Sequence, residues 1–144
     1  MFGLFQTATK PPEKFPVMKT DAQWKAQLSP AAYQILRHAD TERPYTSPLN
    51  KEHRKGTFFC LGCQNPLYSS DTKFDSGTGW PSFWQPISKA AIVTRVDNSM
   101  MLMPRTEVLC SKCGGHQGHV FDDGPKPTGL RYCMNGASMG FKAA

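Results

Sequence analysis

The sequence predicts a mainly antiparallel β domain with short helices at its N-terminal end, and three observations predict it. Short runs rich in β-branched and aromatic residues recur from residue 56 onward, separated by Gly, Asn, Asp and Pro turns. Helical spacing is confined to residues 21–39. Twelve glycines and twelve prolines among 144 residues, with 39% hydrophobic and 19% charged residues, mark a turn-rich globular chain rather than a helical bundle or a disordered one. The length suits one domain with a single core.

Residues 1–18 are rich in Pro, Lys and Thr without periodicity, and are expected to form a flexible arm preceding a single domain over 19–144. Asp21 is expected to cap a short helix through AQWKAQL. SPAAYQILRHA predicts a second helix, with Ser29 as N-cap and Pro30 at the first helical position. In it Ala32, Ile35 and Leu36 form an apolar stripe that Ala39 continues, the face that should pack on the rest of the domain. After the proline-marked loop TERPYTSPLN, the runs GTFFC, KFDS, AIVTRV, MMLMP, TEVLC, HVF, RYCMN and ASMGF read as strands. VDNS and DDGPKPTG read as turns between them.

The net charge of +6 is diffuse: its densest cluster, KEHRK at 51–55, contains a glutamate. A nucleic-acid footprint would gather the cations on one face, so the charge reads as a solvated surface. The apolar runs are short, and MFGLFQTATK lacks the basic start, apolar stretch and cleavage site of a signal peptide. The expectation is a soluble, cytoplasmic protein with no membrane partner.

Five cysteines carry the strongest chemical signal. CLGC places Cys60 and Cys63 on one tight turn and CSKC places Cys110 and Cys113 on another, a donor set for a tetrahedral four-thiolate Zn2+ site. Residues 64–109 lie between the pairs, more than a zinc ribbon usually holds, so the metal would staple two distant hairpins together. Two disulfides or a redox-active CxxC are the competing readings. The first calls for an exported protein and the second for a strand-to-helix context that neither pair has.

Cys133 is the odd thiol. A free cysteine is often only a small buried hydrophobe. In a strand, however, Arg131, Cys133 and Asn135 project from one face, and a guanidinium beside a thiol favours the nucleophilic thiolate. Acid–base partners are offered by GGHQGHVFDDGP, with His116 and His119 three apart and Asp122 and Asp123 following. Surface histidines and an Asp-Gly turn at 123–124 are the plainer readings of that stretch. DSGTGWPSFWQP sets Trp80, Phe83 and Trp84 on a Gly/Pro-framed turn, an aromatic wall suited to a small apolar group such as a methyl on sulfur.

KFDSGTGWPSFWQPI, CSKCGGHQGHVFDDGP and RYCMNGASMGF together resemble the B-type peptide-methionine sulfoxide reductases, from about residue 20 to the end. That resemblance implies a fold of two antiparallel sheets, a structural zinc on Cys60, Cys63, Cys110 and Cys113, and reduction of the R epimer of methionine sulfoxide, free or in oxidised proteins or peptides. It assigns Cys133 as nucleophile and Trp80, with Phe83 beside it, as the wall for the substrate. His116, His119 and Asn135 become the polar side of the pocket, and Arg131 and Asp123 supporting charges. Many members carry a resolving cysteine where this chain has Thr78, which implies that an external thiol such as thioredoxin, glutaredoxin or glutathione reduces the Cys133 sulfenic acid. The competing class is a zinc-stabilised module that binds nucleic acid or protein, with Cys133 inert and affinity steeply dependent on salt.

Overall fold

Helix α1 (Asp21–Gln27) begins one residue earlier than expected, because Thr20 and not Asp21 is the N-cap. The Thr20 hydroxyl accepts from the Gln23 N–H at 3.2 Å, and the Gln23 side chain accepts from the Thr20 N–H at 2.8 Å, which closes a capping box. Asp21 is thereby freed to accept from the Tyr33 hydroxyl at 2.6 Å, tying α1 to the next helix. Helix α2 (Pro30–His38) starts as expected, with the Ser29 hydroxyl accepting from the Ala32 N–H. Its buried stripe is Ala32, Tyr33, Ile35 and Leu36. Ala39 does not extend the stripe: it is exposed and left-handed at φ 53°, so it ends the helix.

The structure is a computed structural model that describes residues 15–100 and 102–144. Most of the arm expected over 1–18 lies outside the described residues. Its described end runs beside the second CxxC turn, where the Val17 N–H donates to the Lys112 carbonyl at 2.8 Å and the Phe15 ring covers Gly114.

Among the described residues nine strands form two antiparallel sheets. The smaller orders β2 (Pro66–Ser69), β1 (Gly56–Cys60) and β9 (Met139–Ala143). The larger orders β3 (Lys73–Phe74), β4 (Ser82–Phe83), β8 (Arg131–Met134), β7 (His116–Phe121), β6 (Arg105–Cys110) and β5 (Ile92–Asp97). The core lies between the sheets: Phe83 of the larger stacks on Tyr68 at 4.4 Å and meets Phe58 edge-on at 5.0 Å, both from the smaller. Leu36 and Trp24 join that core from the helices, and α2 lies against β7.

Two strand expectations are corrected. Met101 of MMLMP lies outside the described residues; the rest of the run is not strand, since β5 and β6 pair as far as Asp97 and Arg105 and it falls in their connection, where Leu102 is 93% and Met103 67% exposed. A run without alternation that ends in proline has no face to bury and no ladder to join. Strand β2 was not expected, since it is four residues long and opens on Pro66; pairing with β1 holds it.

Candidate active site and metal centre

The four CxxC sulfurs converge. Cys60 ends β1 and Cys63 lies in the turn after it, Cys110 ends β6 and Cys113 lies in the turn after it, and their Sγ atoms all lie within 4.8 Å of one another. The Cys60–Cys113 and Cys63–Cys110 contacts are 3.7 and 3.5 Å, too long for disulfides. They are close to the roughly 3.8 Å that separates thiolates in a tetrahedron of Zn–S bonds of about 2.3 Å. The Gly62 N–H and the Gln117 side-chain amide donate to Cys60 Sγ at 3.3 Å, and the Asn65 amide to Cys110 Sγ at 3.6 Å. Donors aimed at sulfur suit thiolates ligating a metal, so the residues fit zinc.

Cys133 stands apart from this cluster, in the middle of β8. Its register partners are Ser82 on β4 and His119 on β7, and beyond His119 come Glu107 on β6 and Arg95 on β5. Residues directly opposite in a sheet share a face, so this row places Cys133 and His119 side by side. Gly118 lets the two strands approach, because a Cβ there would collide with the Cys133 carbonyl oxygen.

On that face a cavity of about 260 Å³ is lined by Cys133, His119, Asn135, Arg131, Trp80 and Thr78, among others. The Trp80 indole is fixed by its N–H donating to the Glu42 carbonyl at 3.0 Å. The Asn135 Oδ1 accepts from the Glu42 N–H at 2.9 Å, and one amide hydrogen goes to the Gln117 carbonyl at 3.1 Å, leaving the other unspent. The Glu42 carboxylate in turn accepts from the Ala137 N–H at 2.8 Å, so one loop residue braces both the wall and the amide.

Arg131 makes a two-pronged pair with Asp123, at 2.8 and 3.1 Å, and stacks over Phe121 at 4.4 Å. Burial pushes the Cys133 thiol above its ordinary value; Arg131 and the Thr78 hydroxyl pull it down without overcoming that push. Arginine alone therefore does not make Cys133 a resting thiolate, as the sequence had suggested.

The remaining expected site residues fall into three places. His116 is 3% exposed and packs edge-on to His119, with ring centroids 5.4 Å apart, rather than lining the cavity. Asp123 reaches the cavity only through Arg131. Phe83 is a core residue: its register partner is Tyr132, not Cys133, so strand alternation turns it to the opposite face, where it is fully buried. It is withdrawn from the substrate wall. Sequence reasoning missed Thr41 and Arg105, which line the cavity, Glu42 and Asp97, which bond to residues that do, and Glu107, which bonds to His116 behind His119. Only Glu107 left a signal, a carboxylate within the apolar run TEVLC.

No helix among the described residues is long and apolar enough to cross a membrane. The SelR domain family model matches residues 28–143. A peptide methionine sulfoxide reductase MsrB from Leptospira interrogans is 54% identical over 128 residues, covering 89% of this chain and 97% of that protein. Proteins of the same name from Agrobacterium fabrum (52% over 126 residues, 88% and 93% covered) and Methanosarcina mazei (50% over 125 residues, 87% and 89% covered) are similar throughout. With two sheets, a four-thiol centre and a separate cysteine beside a histidine and an indole, the chain belongs to the SelR domain family, the B-type peptide methionine sulfoxide reductases.

Proposed function

We propose that this chain reduces the R epimer of methionine sulfoxide to methionine through a Cys133 sulfenic acid, and that residues 19–144 form the catalytic domain. The observation that carries the reading is that the one cysteine outside the four-thiol cluster shares a cavity with Trp80, His119, Asn135 and Arg131. The S-methyl group rests on the Trp80 indole, a soft contact between sulfur substituent and ring. The sulfoxide oxygen lies at His119 and the unspent Asn135 amide hydrogen, with His116 behind. Sulfoxide sulfur resists attack until its oxygen is protonated or strongly hydrogen-bonded, so these donors and the thiolate act on one bond.

As the proton reaches the oxygen, Cys133 attacks sulfur and forms a transient S–S bond; that bond and the substrate's S–O bond then break as the hydroxyl passes to Cys133, forming its new S–O bond. Sulfoxide sulfur gains two electrons, Cys133 loses two, and methionine leaves. Arg131, held by Asp123, and the Thr78 hydroxyl stabilise the thiolate as it forms. With methyl and oxygen each assigned a side, one epimer alone offers its sulfur to Cys133.

A first external thiol condenses with the sulfenic acid, releasing water, and a second reduces the mixed disulfide. Thioredoxin, glutaredoxin or glutathione supplies these equivalents, because Thr78 occupies the resolving position and the other four thiols hold zinc. A reducing cytoplasm suits such a set of free cysteines. The test is turnover of the separate R and S epimers by wild type and Cys133→Ser, with thioredoxin or glutathione as reductant. The expected result is R-specific turnover by wild type alone, from a Cys133→Ser protein that is folded and zinc-loaded. Equal rates on both epimers, or an active Cys133→Ser variant, contradict the reading.

A further inference from the structure

The β5–β6 hairpin carries two carboxylates that the reaction scheme above does not use, and each is bonded to one of the two histidines of β7. Asp97 accepts from His119 Nε2 at 2.8 Å, and Glu107 accepts from His116 Nδ1 at 2.5 Å. Each carboxylate is also held by an arginine from the neighbouring strand of the hairpin. Arg95 meets Glu107 at 2.5 Å and Arg105 meets Asp97 at 3.2 Å, and both pairs are direct register partners. The result is two arginine–carboxylate–histidine chains, Arg95–Glu107–His116 and Arg105–Asp97–His119, that cross the hairpin in opposite directions. They grip the imidazoles by opposite nitrogens. Nδ1 of His119 is then free on a ring that lines the cavity, and Nε2 of His116 is buried with no partner among the described residues.

We propose that Asp97 and Glu107 are positioning residues of the active site: they fix the tautomers of His119 and His116, so that His119 Nδ1 and His116 Nε2 are the nitrogens left for proton transfer and hydrogen bonding. Charge is part of the arrangement. A neutral His119 with its proton on Nε2 presents only a lone pair at Nδ1, so donating to a sulfoxide oxygen needs the imidazolium, which the Asp97 carboxylate favours. Burial, then Arg105 and His116, oppose that charge and together hold His119 below its ordinary value; Asp97 is what keeps the protonated form within reach. The groups facing His119 are Asp97 from β5, Arg105 and the register partner Glu107 from β6, His116 and Phe121 from β7, and Cys133 beside it with Arg131 on β8. Asp97 is the carboxylate bonded to His119, whereas Glu107 is taken up by His116 and Arg95.

This inference rests on the reductase reading only for its kinetic arm. The tautomers are read from the ring nitrogen-15 shifts of the full wild-type protein, which require no turnover. His119 is expected to carry its proton on Nε2 and His116 on Nδ1, and the opposite assignment for either ring overturns the proposal. The kinetic arm is the pH profile of kcat/KM on R-sulfoxide. Losing the carboxylate charge in Asp97→Asn lowers the His119 pKa, so the limb that falls with rising pH moves down. A shift of about one pH unit, a loss of roughly tenfold at pH 7, is expected, carried by kcat rather than KM and partly restored in Asp97→Glu. A profile that keeps its shape and falls by one factor at all pH values overturns the kinetic role. Wild-type protein inactive on both epimers would instead sink the reductase reading and leave the tautomer result standing.

Discussion

At Cys133, burial and Arg131 pull in opposite directions, and burial is the larger. The thiol therefore titrates above the roughly 8.5 of a free cysteine, and iodoacetamide labelling should rise late with pH. Arg131→Ala removes a force that lowers the pKa, so the labelling midpoint should move further up and the rate at pH 7 fall about tenfold for each unit. A midpoint that moves down would contradict the assignment of Arg131. Thr78 lines the same cavity, so Thr78→Cys should yield a disulfide with Cys133 after one turnover, detected by peptide mapping. Alternation made the shared face of Arg131, Cys133 and Asn135 legible in the sequence. The same alternation excludes Phe83 from that face, but only once its register opposite Tyr132 is known. The upward push on Cys133 was not legible, since burial comes from elements far apart in the chain.

Among the elements, α2 packs its stripe on the strand that carries both histidines, so its cap bears on the site. Ser29→Ala should cost about 1 kcal/mol in urea denaturation while leaving the epimer preference unchanged. The two CxxC turns follow β1 and β6, one in each sheet, so a metal on them joins the sheets. Structural zinc of this kind contributes on the order of 10–16 kcal/mol of binding free energy. Chelation should release one zinc per chain and cause a large fall in Tm; retained zinc and Tm in Cys110→Ser would contradict the site. Both features were readable locally: an N-cap followed by proline, and paired cysteines three apart. MMLMP misled because apolar content alone does not supply a partner strand, and β2 escaped because its ladder is made with β1 rather than written in its own four residues.

For the whole molecule, the order β3-β4-β8-β7-β6-β5 brings residues from across the second half of the chain into one row, from Ser82 to Cys133, His119, Glu107 and Arg95. Strand order and register are long-range properties, which is why Asp97, Arg105 and Glu107 could not be joined to the histidines from sequence. Burial pushes both carboxyls up, yet hydrogen bonds from Ser99 and His119 to Asp97, and from His116 and Arg95 to Glu107, hold both below their ordinary values. Groups depressed on folding stabilise the protein above the unfolded carboxylate pKa, near 4, and that contribution is lost as pH falls through their folded values. Tm should therefore begin to fall as pH drops below about 6.5, where unfolded His119 takes up a proton that the buried ring resists, and fall again below pH 4, with a shallower acid drop in Asp97→Asn. The most direct measurement is a single turnover on R-sulfoxide without reductant, trapped with dimedone and mapped by mass spectrometry. One methionine per chain and one adduct, on Cys133, is the predicted result; methionine formed with Cys133 unmodified, or an adduct on Cys60, Cys63, Cys110 or Cys113, would contradict it.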